Sequence, residues 1–180
     1  MTTAKEAPSR SPDAPSSDPI RKEITPESLQ TFLVFLDRMG IVETIKPEHD
    51  VKDSFSNLVG GVLRAVSIER GKLSCSLTVK PAILNAYKGM HGGAVAAVAE
   101  RVAIACARTV VGKDKDIFLG ELSISYLYAA PHNAEVVIDG SVVRSGRNLT
   151  VVAVNFRLKE SGRLAFMTRA TFYNTPVSSL

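Results

Sequence analysis

Asn85-Ala-Tyr-Lys-Gly-Met-His91-Gly92-Gly93 opens an apolar, alanine-rich run that reaches Val111 and carries a single carboxylate, Glu100. The spacing predicts one long helix from about His91 to Val111, ended by Gly112 and the charged Lys113-Asp-Lys-Asp116. Apolar residues fall on nearly every face, so the helix is expected to be buried. A glycine pair in its first turn leaves bare backbone N–H groups at the positive end of the helix dipole, where a negatively charged oxygen is stabilised. Glu100 lies about two turns further on.

The segments around this helix read as strands. Val62, Arg64, Val66 and Ile68 alternate with other residue types, Arg70-Gly71 turns the chain, and Leu73, Cys75, Leu77 and Val79 alternate on the return. Pro81 ends that hairpin. Four strand-like runs follow the helix, at about 117–128, 134–145, 148–158 and 163–173. They are separated by Ala-Pro-His-Asn133, Ser145-Gly146-Arg147 and Lys159-Glu-Ser-Gly-Arg163. The last three should form an antiparallel meander. The sum is an α+β domain in which a curved antiparallel sheet wraps around one long central helix.

Upstream, Thr25 and Pro26 start a second helical pattern, with Leu29, Phe32, Leu33 and Leu36 at helical spacing and Gly40 as its stop. Residues 41–60 read as mixed loop. Residues 1–25 are rich in Pro, Ser and Ala with balanced charges, the composition of a disordered tail; a cleaved transit peptide is the alternative, disfavoured by its acidic residues. The expected organisation is a tail over 1–25, one domain over 26–176 and a short tail over 177–180.

Bulk properties exclude several classes. The formal charge of +4 and the pI of about 9.2 are spread along the 180 residues without a lysine or arginine run, so no nucleic-acid footprint is visible. Two cysteines, Cys75 and Cys106, are too few for a disulfide framework or a zinc site and read as buried thiols. No window has the uninterrupted apolar length of a membrane span; Glu100, Arg101 and Arg108 break the longest one. No Gly-x-Ser-x-Gly, P-loop or dinucleotide motif is present.

What remains is carboxylate chemistry without metal or redox cofactor. The helical neighbours of Glu100 are Ala96, Ala97, Ala103 and Ile104, whereas Arg101 and Arg108 mark a different, wetter stripe. Glu100 is a candidate general base; a structural salt bridge is the alternative. Gly92 and Gly93 offer N–H groups to a thioester or ester oxygen, or else allow close helix packing. His91 reads either as an acid–base group or as a hydrogen-bonding residue at the helix start. Asn85 reads either as a turn residue or as a group that holds a carbonyl or orients a water.

Asn85, six residues before His91-Gly92-Gly93, with an acidic residue nine after that histidine, resembles the hotdog-fold acyl-CoA thioesterases, in the branch of acyl-CoA thioesterase 13 and the phenylacetate-type enzymes. The likeness runs from about residue 27 to 174 and includes Ser125-Tyr126 before Pro131 and Val143-Arg144-Ser145-Gly146-Arg147.

The resemblance implies the hotdog fold, a curved antiparallel sheet around a long helix. It also implies a homodimer or homotetramer with active sites at the subunit interface, acting on a fatty or aromatic acyl-CoA. Asn85 and the Gly92 N–H of one subunit would polarise the thioester carbonyl, with His91 and Gly93 beside it. Glu100 of the neighbouring subunit would activate water. Arg144, Ser145, Gly146, Arg147 and Asn148 would contact coenzyme A, the two arginines meeting its phosphates. Coenzyme A would be part of the substrate, with no cofactor required.

This chain departs from that branch in having Glu rather than Asp at position 100. It also has Leu119 where a water-holding Ser is common, with Ser123 or Ser125 as replacements. Two rivals follow: a hotdog hydratase or dehydratase in which His91 and Glu100 share proton transfer, and a non-catalytic acyl-CoA-binding protein. Ser178-Ser179-Leu180 resembles a degenerate Ser-Lys-Leu signal, so a peroxisomal location is the expectation, ahead of cytosol and mitochondrion.

Overall fold

The computed structural model describes residues 25–38 and 46–177. The expected N-terminal tail up to residue 24, the Gly40 helix stop and Ser178-Ser179-Leu180 lie outside the described residues. The chain divides into two units, residues 1–41 and 42–180. In the first, α1 runs Pro26–Arg38. Thr25 Oγ1 accepts from the Ser28 N–H at 3.2 Å and caps it as expected, and Pro26 takes the first helical position, where a missing N–H costs nothing.

The second unit is a six-stranded, wholly antiparallel sheet in the order β1-β2-β4-β5-β6-β3, with one long helix packed on it. The strands are β1 (Arg64–Glu69), β2 (Lys72–Thr78), β3 (Lys115–Tyr126), β4 (Glu135–Ser145), β5 (Leu149–Leu158) and β6 (Leu164–Pro176). The long helix is α3, Gly92–Arg108. The expected hairpin and the β4–β5–β6 meander are present, and β3 closes the far edge by pairing with β6.

Period-two patterning decides which side of the sheet meets α3. One row runs through all six strands as Ala65, Cys75, Ile138, Phe156, Phe166 and Tyr126. Its aromatic end is built from edge-to-face pairs, Phe156–Phe166 at 5.7 Å and Tyr126–Phe166 at 5.8 Å between ring centroids. Val95, Val98, Ala99, Val102, Ala103, Cys106 and Ala107 of α3 are buried against this face. Gly140 permits the contact: a Cβ there would stand 3.2 Å from Val102 Cγ1, inside ordinary packing distance.

Two expectations are corrected. The helix is not buried all round, because the sheet covers one side only. Arg101, Ala105 and Arg108 are exposed, and Ala97, Glu100 and Ile104 are half-buried. Residues 41–60 are not all loop either. Within the described part, Ser54–Val62 forms α2, held by buried Val59. Phe55, Leu58, Val59 and Val62 carry the helical spacing, which Gly60-Gly61 and the polar residues around it hide.

Candidate active site

The loop before α3 is fixed by its own backbone. Asn85 N–H donates to Gly89 O at 2.8 Å and Lys88 N–H to Asn85 O at 3.1 Å. Lys88 takes the left-handed conformation the turn needs, at φ 61°. Met90 N–H donates to Ala130 O and His132 N–H to Lys88 O, so the loop is stitched to the β3–β4 connection. Within it, the Asn85 carbonyl oxygen Oδ1 accepts from the N–H groups of Tyr87 (2.9 Å) and Gly89 (3.0 Å). The oxygen does the turn work of an Asx residue, and Nδ2 is left as a donor with no acceptor among the described residues.

His91 is the N-cap of α3, and its Nδ1 accepts from the Gly93 N–H at 2.9 Å. This bond uses the N–H of Gly93 and leaves the Gly92 N–H without an acceptor among the described residues. Asn85 and Gly92 share one open pocket of about 410 Å³ with Met90, Tyr126, Tyr128 and Phe166. A preorganised amide donor and a helix-terminal N–H thus meet at one site, the arrangement that stabilises a developing oxyanion. Gly93 and His91 line a second, apolar pocket of about 210 Å³ with Phe55, Leu58 and Val59 of α2.

Tyr126, noted in the sequence as part of the resemblance but given no role there, also lines the pocket. Its hydroxyl donates to Gly92 O at 3.1 Å, and its ring stands against the Gly92 Cα. The signal available was its phase on the predicted strand, inward-facing beside Phe166, but the pairing of β3 with β6 is not visible in sequence.

Glu100 lies elsewhere on the chain. Eight residues beyond Gly92, it sits about 12 Å along the helix axis. It lines a pocket of about 350 Å³ with Phe55, Ser56, Val59, Ala97, Arg101 and Ile104. The Arg144–Asn148 turn is further still. It joins β4 to β5, whereas the opposite end of β4 is tied to the Asn85 side through the bond from Val79 N–H to Ala134 O. Eleven residues of strand separate the two ends by about 33 Å. One chain therefore brings Asn85 and Gly92 together but not Glu100, nor the turn. Leu119 is half-buried against the core beside the bulge at Gly120, whose Cβ space the Tyr173 ring fills.

The remaining titratable groups read structurally. Burial pushes the Cys75 thiol up, with the charge of Asp139 adding to it. Burial also raises Cys106, against a backbone hydrogen bond that lowers it. The exposed Glu135 carboxyl is held below its ordinary value by a hydrogen bond and charge from Lys159 at 2.6 Å.

An antiparallel sheet laid around a long helix, with a glycine pair opening that helix, defines a hotdog-fold protein. The family model described as the thioesterase superfamily matches residues 87–165, from the loop before α3 into β6. The Caenorhabditis elegans protein "Putative esterase F42H10.6" is 28% identical over 137 residues, 76% of this chain and 80% of that one. The solved structure of zebrafish thioesterase superfamily member 2 superposes with a TM-score of 0.63 at 19% identity, covering 84% of this chain and 99% of that one. A hypothetical thioesterase from Streptococcus pneumoniae, solved with coenzyme A, gives a TM-score of 0.58 at 23% identity over 63% of this chain and 89% of its own.

Proposed function

We propose that the protein is an acyl-CoA thioesterase, hydrolysing the thioester of a fatty or aromatic acyl-CoA to free acid and CoA. The observation that carries this reading is the pairing of Asn85 Nδ2 and the Gly92 N–H in one pocket, each without a protein acceptor among the described residues. Two unspent donors lining one pocket suit a carbonyl oxygen that gains charge as water attacks. The match to the thioesterase superfamily model and the esterase name of the C. elegans relative support the same class. The S. pneumoniae structure with coenzyme A supports a CoA-bound substrate.

The base is Glu100 of a second copy. Within a chain it is displaced about 12 Å from Gly92 along α3, but a two-fold axis across antiparallel copies of the helix returns it to the partner's Gly92. The exposed edge strand β3 and the exposed flank of α3 are the surfaces available for such pairing. In turnover the carboxylate takes a proton from water, hydroxide adds to the thioester carbon, and Asn85 and Gly92 hold the oxyanion. The C–S bond then breaks, and the thiolate leaves with a proton as free CoA.

The deciding experiment is thiol release from short, long and aromatic acyl-CoAs, with Glu100→Gln as control. Release that depends on Glu100 upholds the reading. Hydration of an enoyl-CoA without thiol release would assign a hydratase instead, and binding without turnover a carrier.

A further inference from the structure

Glu100 is half-buried, yet its carboxylate forms no ion pair among the described residues; the acids that pair there are Asp116, with Arg108, and Glu135, with Lys159. The structural salt bridge open to it in the sequence is thus absent on its own chain. Its pocket of about 350 Å³ is walled mostly by apolar side chains of α2 and α3, and Ser56 is the neutral polar side chain in that wall.

A water held by one carboxylate swings about a single hydrogen bond. Attack needs a lone pair aimed at the carbon, and a second polar contact fixes that aim. The strand serines do not supply it, which corrects the expectation for Ser123 and Ser125. They pair with Arg169 and Met167, both exposed, and alternate with Leu122 and Ile124, which pack on the core, so they face away from α3. Leu119 has no polar side-chain atom to offer. Ser56 does, and its hydroxyl is unspent. Among the described residues the serine hydroxyls bonded within the protein are those of Ser28, Ser74, Ser145 and Ser161. Ser56 is the third residue of α2, and buried Val59, three residues on, lines the same pocket and pins the helix there.

We propose that Ser56 holds the attacking water beside Glu100. The water gives one proton to the carboxylate, the Ser56 oxygen accepts a hydrogen bond from its other O–H, and its lone pair adds to the thioester carbon. Ser56 itself neither gains nor loses a proton. The inference rests on the thioesterase reading above and deepens it. Ser56 and Glu100 belong to one chain, so both are delivered together to the Asn85 and Gly92 of a second copy.

The test is steady-state thiol release by the full chain and its Ser56→Ala and Ser56→Thr variants, with a thermal melt of each. Ser56 is exposed on its own chain, so both variants should melt as the wild type. Ser56→Ala should lower kcat about tenfold, the worth of one neutral hydrogen bond, with KM unchanged. Ser56→Thr keeps the hydroxyl and should hold kcat within about threefold. Subunit exchange then assigns the chain: Ser56→Ala mixed with Asn85→Asp should regain about a quarter of wild-type turnover, whereas mixed with Glu100→Gln it should stay near a twentieth. Unchanged kcat in Ser56→Ala, a loss that Ser56→Thr does not restore, a change in KM alone, or recovery in the mixture with Glu100→Gln overturns the inference and leaves the hydrolase standing. A wild-type protein that releases no thiol overturns the thioesterase reading and this inference with it.

Discussion

Replacing His91 separates two roles that its position allows. In the structure its Nδ1 accepts the Gly93 N–H at 2.9 Å, one of the donors that a helix start leaves unpaired. Removing an N-cap costs about 0.5–2 kcal/mol, and His91 is exposed, so water replaces part of the bond and the lower half of that range applies. A loss of about 1 kcal/mol in a chain of this size lowers Tm by about 2–4 °C. His91→Ala should show that drop in a thermal melt followed by circular dichroism. His91→Asn supplies a side-chain oxygen as cap and should melt within a degree or so of the wild type. The same pair decides the chemistry. An imidazole that moves protons in the reaction contributes about 10²–10⁴ in rate, so a capping role predicts that His91→Asn keeps turnover within a few-fold. An unchanged melt in His91→Ala, or a hundredfold loss of turnover in a fully stable His91→Asn, would refute the reasoning, and the second result would favour the hydratase.

Asn85→Asp keeps the oxygen that accepts from Tyr87 and Gly89 but removes the donor; it should melt as the wild type while kcat falls about 10²–10³-fold. Phe156→Ala empties a fully buried site beside Phe166 and should cost about 3–5 kcal/mol in urea unfolding, with the m-value unchanged. Cys75 and Cys106 are buried and their thiols raised, so a thiol reagent should label them slowly at pH 8 and rapidly in urea. Because the fold favours the protonated thiols, their contribution to stability is whole below the unfolded thiol pKa and is lost as pH rises through the higher folded value. A melt from pH 8 to 10 should fall less in Cys75→Ala than in the wild type.

The long helix, the hairpin and the meander were legible because each is a local pattern: one period of 3.6, five of period two, and turns of Gly, Asn and Ser between them. Strand order was only partly so. The β4–β5–β6 run follows from short turns, whereas the placement of β3 against β6 depends on how the chain returns from α3, which no local signal records. Helix α2 was lost because Gly60-Gly61 argues against a helix that tertiary contact at Val59 nonetheless holds. At the site, Asn85, His91 and Gly92 stood out through their spacing. The division of labour did not, since only coordinates show that Gly93 N–H is spent on His91 while Gly92 N–H is left. Tyr126 stood in the sequence only as part of the resemblance, and its bond to Gly92 was invisible for the same reason: the two residues lie more than twenty positions apart.

In the proposed mechanism two chains build each site, Asn85 and Gly92 from one and Glu100 from the other. The direct measurement is complementation: Asn85→Asp and Glu100→Gln proteins, each inactive alone, are mixed, allowed to exchange subunits, and assayed for thiol release from an acyl-CoA. Half the dimers are then mixed and carry one intact site of two, so about a quarter of wild-type turnover should return. A mixture as inactive as its components, under conditions where exchange is demonstrated, would contradict the account.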